Sequence, residues 1–178
     1  SWVKEPVRLL PRMQELVDTH YPGLKLSIGE YNFGAEHHLS GGLALAEALG
    51  RVGQHGLYSA FYWTYPAENS PAFWAFRAFR NYDGQGAHFR EVSLPTEAPR
   101  DLSLFAARSL DGRVVSFFLN DTSTTETFEA AINLKGCALP EAQRVFRYTG
   151  EPSGFEAREV APGKAYRAPP SSITVVEL

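Results

Sequence analysis

Glu30 is the residue in this chain best placed to do chemistry. It ends the segment Leu26-Ser27-Ile28-Gly29-Glu30 and is followed at once by Tyr31-Asn32-Phe33-Gly34. The alternation reads as a short apolar strand closing on a carboxylate, with Leu26, Ile28 and Glu30 expected on one face because strand side chains repeat every two residues. A carboxylate at the end of such a strand stands at the mouth of the structure, where α/β barrels carry their catalytic groups. A lone glutamate there would be an ordinary solvated side chain. An aromatic, an amide and a glycine turn directly after it point to a built site instead.

Other chemistry-bearing residues are weaker candidates. Glu36, His37 and His38, with the more distant His55, contain metal-ligand types. Neighbouring side chains point apart, however, and no His-x₃-His or Cys pair supports them. A loop role is expected, with neither metal nor cofactor. Glu5, in Lys4-Glu5-Pro6, stands at a helix start, where a carboxylate meets the helix dipole favourably. Tyr65, Glu68 and Asn69 fall in the loop after a second apolar strand and border the same mouth. Glu47 is expected to face solvent or an arginine, and Arg77 and Arg80 to form ion pairs.

The elements that must position Glu30 follow a simple order. Pro6 suits a first helical turn, and Val7, Leu10, Met13, Leu16 and Val17 recur at helical spacing as far as Tyr21, with Pro11 marking a kink or the true start. Pro22-Gly23 closes that helix and Leu24–Glu30 forms the strand. Ser40 is expected to cap a second helix, Gly41–Val52, whose Leu43, Ala46, Leu49 and Gly50 give a small-residue face. Leu57–Trp63 makes a second strand, and Ser70-Pro71 opens a third helix rich in Phe and Trp, Ala72–Tyr82. Strands separated by helices imply a parallel sheet with crossover connections.

After Asp83-Gly84-Gln85-Gly86 the pattern changes. Short alternating segments at 102–109, 113–120, 127–132, 143–148, 157–160 and 173–178 are separated by turn signals such as Asp111-Gly112 and Pro162-Gly163. That pattern predicts an antiparallel sandwich. The expected division is residues 1–86, α/β, and residues 87–178, all-β. Phe117, Phe118, Phe128, Phe146 and Tyr148 are expected in the sandwich core.

Composition narrows the function. The chain has 178 residues, 44% of them hydrophobic and 13% aromatic, with a formal net charge of -3. No basic stripe favours nucleic acid, and no apolar run approaches the ~20 residues of a membrane helix. Cys137 is the only cysteine, so an internal disulfide is excluded. Asn120-Asp121-Thr122 fits a glycosylation sequon. The chain opens on Ser1-Trp2-Val3 without an initiator Met or signal peptide, which suggests processing or an excerpt. Two strands cannot close a barrel of ~250 residues, so the first half reads as the last quarter of one, and the chain alone is not expected to be a self-sufficient enzyme.

The run Glu30-Tyr31-Asn32-Phe33-Gly34-Ala35-Glu36-His37-His38-Leu39-Ser40-Gly41-Gly42-Leu43-Ala44 resembles glycoside hydrolase family 44, endoglucanases and xyloglucanases. The likeness continues in Leu10-Pro11-Arg12-Met13, Tyr21-Pro22-Gly23-Leu24-Lys25, Ala48-Leu49-Gly50-Arg51-Val52-Gly53 and Phe76-Arg77-Ala78-Phe79-Arg80-Asn81-Tyr82-Asp83-Gly84. The resemblance implies the last strands and helices of a (β/α)₈ TIM-like barrel followed by a β-sandwich, and a secreted protein acting on β-glucan by a retaining mechanism. It makes Glu30 the nucleophile and Trp63 an aromatic sugar floor, with Tyr31, Asn32 and Tyr65 as further substrate-binding residues. The acid/base of an Asn-Glu-Pro signature is absent here, so the missing amino-terminal barrel portion becomes a required partner. Gly29 departs from the small hydroxyl residue that the family more often has before its nucleophile. A second reading is a non-catalytic sugar-binding or interaction module that keeps a remnant of this fold.

Overall fold

The structure, a computed structural model, describes residues 4, 7–99, 102–112, 115–130, 143–160 and 166–178. Trp2, Glu5, Pro6, Cys137, Pro140 and Pro162-Gly163 lie outside them.

The α/β half has the expected order of elements. Helix α1 (Leu9–His20) carries Pro11 in its first turn, where the backbone N–H groups lack intrahelical partners and the missing donor costs nothing. Strand β1 (Ser27–Tyr31), helix α2 (Leu39–Gln54), strand β2 (Ser59–Tyr62) and helix α3 (Pro71–Arg80) follow. The two strands pair in parallel with α2 as their crossover. Ser70 caps α3 as its sequence implies, its Oγ accepting from Phe73 N at 3.2 Å. Ser40 does not cap α2. That helix begins at Leu39, two residues earlier than expected, after an extended His38 whose carbonyl accepts from both Gly41 and Gly42 N.

Eight further strands follow: β3 (Val92–Leu94), β4 (Leu102–Arg108), β5 (Val115–Asp121), β6 (Phe128–Ala130), β7 (Gln143–Tyr148), β8 (Glu156–Val160), β9 (Tyr166–Ala168) and β10 (Ser172–Glu177). Six form an antiparallel sheet in the order β3-β4-β5-β10-β7-β8, and β6 pairs with β9. Alternation gives the large sheet two apolar faces. Phe105, Phe118, Phe146, Tyr148, Ile173 and Val175 meet α2 and α3, while Leu102, Ala106, Val145 and Val176 meet Tyr166 and Ala168 of β9. Phe118 stacks on Phe79 of α3 with centroids 4.4 Å apart. Burying a ring of that size contributes about 2–3 kcal/mol.

The helices touch one another and the sheet through their smallest residues. Ala72, Ala75 and Ala78 of α3 are fully buried, as are Gly41, Gly42 and Gly50 of α2. A Cβ on Gly42 would lie 2.7–2.9 Å from the backbone and Cβ of Pro71, one on Gly41 would strike the Ala35 carbonyl, and one on Gly50 the Phe105 ring. A charged cluster closes the far end of α3. Glu177 of β10 accepts from Tyr82 Oη at 2.5 Å and Arg90 Nη2 at 2.8 Å, and pairs with Arg144 of β7, which also lies 3.8 Å from Asp83.

Candidate active site at the ends of the parallel strands

Glu30 and Trp63 come to the carboxyl ends of neighbouring parallel strands. Trp63 N donates to Tyr31 O at 2.8 Å, extending the ladder one residue past β2. Glu30 is exposed, Trp63 is 57% exposed and Tyr65, in the loop beyond, is 99% exposed. A carboxylate and an indole therefore stand free on one rim, an arrangement suited to a nucleophile beside a sugar-stacking surface.

The local backbone departs from simple alternation at this point. Ile28 pairs with Ala60, yet Tyr31 pairs with Tyr62, so β1 spends one residue more than β2 between the two pairs. This bulge falls on Gly29 and Glu30 and breaks the expected alignment of Leu26, Ile28 and Glu30 on one face. Ile28 instead shares its side with Tyr31. Bulges recur beside active sites, where they re-aim a side chain. Gly29 has open space around it, and its backbone conformation is accessible to other residues. The turn after Trp63 is also unusual, with Thr64 at φ 84°. A β-branched residue rarely adopts that conformation.

Tyr31 and Tyr62 point away from the rim. Their rings meet edge to face at 5.3 Å and pack on the core shared by the helices and the large sheet. Burial pushes the Tyr31 hydroxyl up from its ordinary value.

Asn32 spends its amide within the protein. Its Nδ2 donates to Glu36 Oε1 at 2.7 Å and to Trp63 O at 3.0 Å, and its Oδ1 accepts from Gly34 N. The same Glu36 oxygen accepts from Tyr62 Oη at 3.2 Å. The Glu36 backbone N–H and the Asn32 amide hold this carboxyl below the usual carboxylate range. Burial, with the Glu36 charge beside it, pushes Tyr62 up to about 12.

Sequence reasoning missed Tyr62, and it weighed Glu36 only as a weak metal-ligand type in a loop. Tyr62 had a signal, since period 2 sets it opposite Phe61 and Trp63. Glu36 had none, because its Tyr62 partner lies 26 residues away. His37 and His38 sit in the loop between β1 and α2, and among the described residues no group of three or more His, Cys, Asp or Glu could hold a metal ion. Glu47 pairs with Arg51 at 2.9 Å, and Arg77 lies over the Phe73 and Trp74 rings. Asn120 is completely buried, its Nδ2 donating to Leu43 O and Glu47 Oε2, each at 3.2 Å. No described helix is long and apolar enough to cross a membrane.

Comparison with known proteins gives the same neighbourhood from several sides. Over 94 residues, 53% of this chain and 13% of the relative, the sequence is 37% identical to Endoglucanase A of Paenibacillus lautus. The fold matches CelM2, a bifunctional glucanase-xylanase from a metagenome library, with a TM-score of 0.92 and 30% identity over 99% of this chain and 35% of that one. It matches a Paenibacillus polymyxa xyloglucanase of glycoside hydrolase family 44, solved with xyloglucan, with a TM-score of 0.87 and 26% identity over 96% of this chain and 35% of that one. The chain thus spans about a third of the length of these solved structures. No family profile matches it.

Proposed function

The chain is kin to the endoglucanases and xyloglucanases of glycoside hydrolase family 44, and from that premise we propose that it is part of a retaining hydrolase of β-1,4-linked glucans of the cellulose or xyloglucan type. Residues 1–86 form the carboxy-terminal part of its TIM-like barrel and residues 87–178 its β-sandwich. The observation that carries the reading is the free Glu30 carboxylate at the end of one parallel strand, beside the exposed Trp63 at the end of the next.

In this reading Glu30 attacks the anomeric carbon while a second carboxyl group, ~5 Å away, protonates the departing glycosidic oxygen. Water, deprotonated by that second group, then releases the sugar from Glu30. The second group comes from an upstream barrel strand. Trp63 floors the sugar whose bond is cleaved, Tyr65 contributes to the wall, Tyr31 braces the strand end from the core side in place of the expected sugar contact, and Asn32 acts by fixing Trp63. Secretion is the expected setting for an enzyme on an extracellular polymer.

Unsatisfied surfaces support a partner for the barrel half. Helix α1 buries no residue, and Leu16, Leu24 and Phe61 are 46%, 60% and 60% exposed. Strands β1 and β2 make a sheet of two, and a bare parallel pair with exposed apolar flanks is a template for further strands. The test is Glu30→Gln in the protein joined to its upstream barrel segment, assayed on xyloglucan and carboxymethylcellulose. Turnover should vanish, while the 178-residue chain alone should be inactive. Near-normal turnover by Glu30→Gln would overturn the assignment. Saturable glucan binding by the isolated chain, indifferent to Glu30→Gln, would favour a non-catalytic module.

A further inference from the structure

Glu36 sits where three elements meet. Its carboxylate takes Asn32 from the end of β1 and Tyr62 from β2, while its backbone carbonyl accepts from Ala72 N in the first turn of α3, at 3.2 Å. Asn32 carries the link onward, since its second amide proton goes to the carbonyl of Trp63. A continuous path of hydrogen bonds thus runs from α3 through Glu36 and Asn32 to the backbone of the exposed indole.

The backbone on this path is held away from its easiest conformations. Ala35, just before Glu36, and Thr64, just after Trp63, have φ of 52° and 84°. Such residues persist where surrounding contacts over-determine them, and they cluster at sites that must be pre-organised. Among the described contacts on this path, only Glu36 is shared by all three elements.

We propose that Glu36 is a positioning residue that fixes the Trp63 floor relative to the Glu30 nucleophile. The inference rests on the hydrolase reading above. Glu36 touches no sugar; it acts through Asn32 and Tyr62. Misplacing a substrate-orienting group by about 1 Å can cost on the order of 10²-fold in rate, so the effect should exceed that of an ordinary surface substitution.

The experiment uses the protein joined to its upstream barrel segment and measures kcat and KM on xyloglucan for Glu36→Ala, Glu36→Gln, Asn32→Ala and the Glu36→Ala/Asn32→Ala pair. Glu36→Ala should lower kcat/KM by roughly 10- to 100-fold. Glu36→Gln should recover most of it, because its amide oxygen accepts the same two hydrogen bonds. The double variant should be no worse than Glu36→Ala, since both changes cut one path. Where Glu36→Ala does not fold, Glu36→Asp takes its place, drawing the acceptor back while keeping the charge. Wild-type kcat/KM in whichever of these two folds, additive losses in the double variant, or a Gln variant as poor as Ala would overturn the proposal. The two readings separate cleanly: an active Glu30→Gln defeats the hydrolase assignment, whereas a dead Glu30→Gln beside an intact Glu36→Ala defeats this inference alone.

Discussion

Gly42→Ala and Gly53→Ala make the same chemical change in the same helix, and the structure assigns them opposite signs. At Gly42 the new methyl would lie 2.7 Å from Pro71 O, 2.8 Å from Pro71 Cβ and 2.9 Å from Pro71 C. Optimal carbon contacts are ~3.5–4.0 Å, so the overlap approaches an ångström. It falls mostly on backbone, which has no rotamer to escape into. Overpacking of this kind costs about 3 kcal/mol when the neighbour cannot move. Replacing a helical Gly by Ala returns about 1 kcal/mol, leaving a net loss of about 2 kcal/mol. Gly53 has nothing within 4 Å and no left-handed backbone, so only the propensity gain remains, about 0.5–1 kcal/mol near a helix end.

Urea unfolding followed by far-ultraviolet circular dichroism reads both changes as shifts in midpoint at constant slope. For a chain of this size, each kcal/mol also corresponds to about 2–4 °C in Tm. Gly42→Ala should therefore melt roughly 4–8 °C lower and Gly53→Ala about 1–4 °C higher. A Gly42→Ala variant as stable as the parent would show that α2 and α3 do not approach as closely as described. The close packing of α2 through Gly42 on Pro71 would then fail.

Two further outcomes follow from buried polar groups. Asn120→Ala removes the side-chain donor shared by the Leu43 carbonyl and the Glu47 carboxylate and should destabilise the fold by about 1 kcal/mol; a loss below roughly 0.5 kcal/mol in the same unfolding assay would contradict the contact. Burial pushes the Glu177 carboxyl up, but hydrogen bonds from Tyr82 and Arg144 and the charges of Arg144 and Arg90 outweigh it and hold the group below its ordinary value. A depressed folded value means that the stabilisation is present above the ordinary carboxylate range and is lost as pH falls through the folded value. Glu177→Gln should accordingly lower stability at pH 7 by about 2 kcal/mol and flatten the acid limb of the stability–pH curve. An unchanged acid limb would refute the role of this cluster.

Features governed by neighbouring residues were legible in the sequence. Ser70-Pro71 marks the start of α3 because capping is settled within one turn, and the parallel pairing of β1 with β2 follows from the intervening helix. The start of α2 was misjudged for the complementary reason. Ser40 has the right chemistry for a cap, but the helix begins where the Ala35–His38 turn delivers the chain, and that turn shows only in three dimensions. Strands β3 and β9 escaped notice because their three residues lack a longer alternating run around them such as 127–132 gives β6. The bulge at Gly29-Glu30 is a property of two strands compared, invisible in either alone. Glu36 could be seen as a carboxylate but not as a junction, since Tyr62 and Ala72 reach it only after α2 has folded back.

Helix α2 couples the two halves of the molecule. Its first turn lies against the loop after the Glu30 strand, through Gly41 and Ala35, and against the start of α3, through Gly42 and Pro71. Its middle is gripped by Asn120 of β5, and Gly50 near its end rests on Phe105 of β4. These contacts need absent side chains or a buried amide donating to two acceptors of the helix, so they tolerate little sliding. The large antiparallel sheet thereby fixes the position of the helix, and the helix fixes the loop holding Asn32 and Glu36. The sheet need not bind sugar to matter for the proposed hydrolysis. It acts as the foundation against which the Glu30 strand is set.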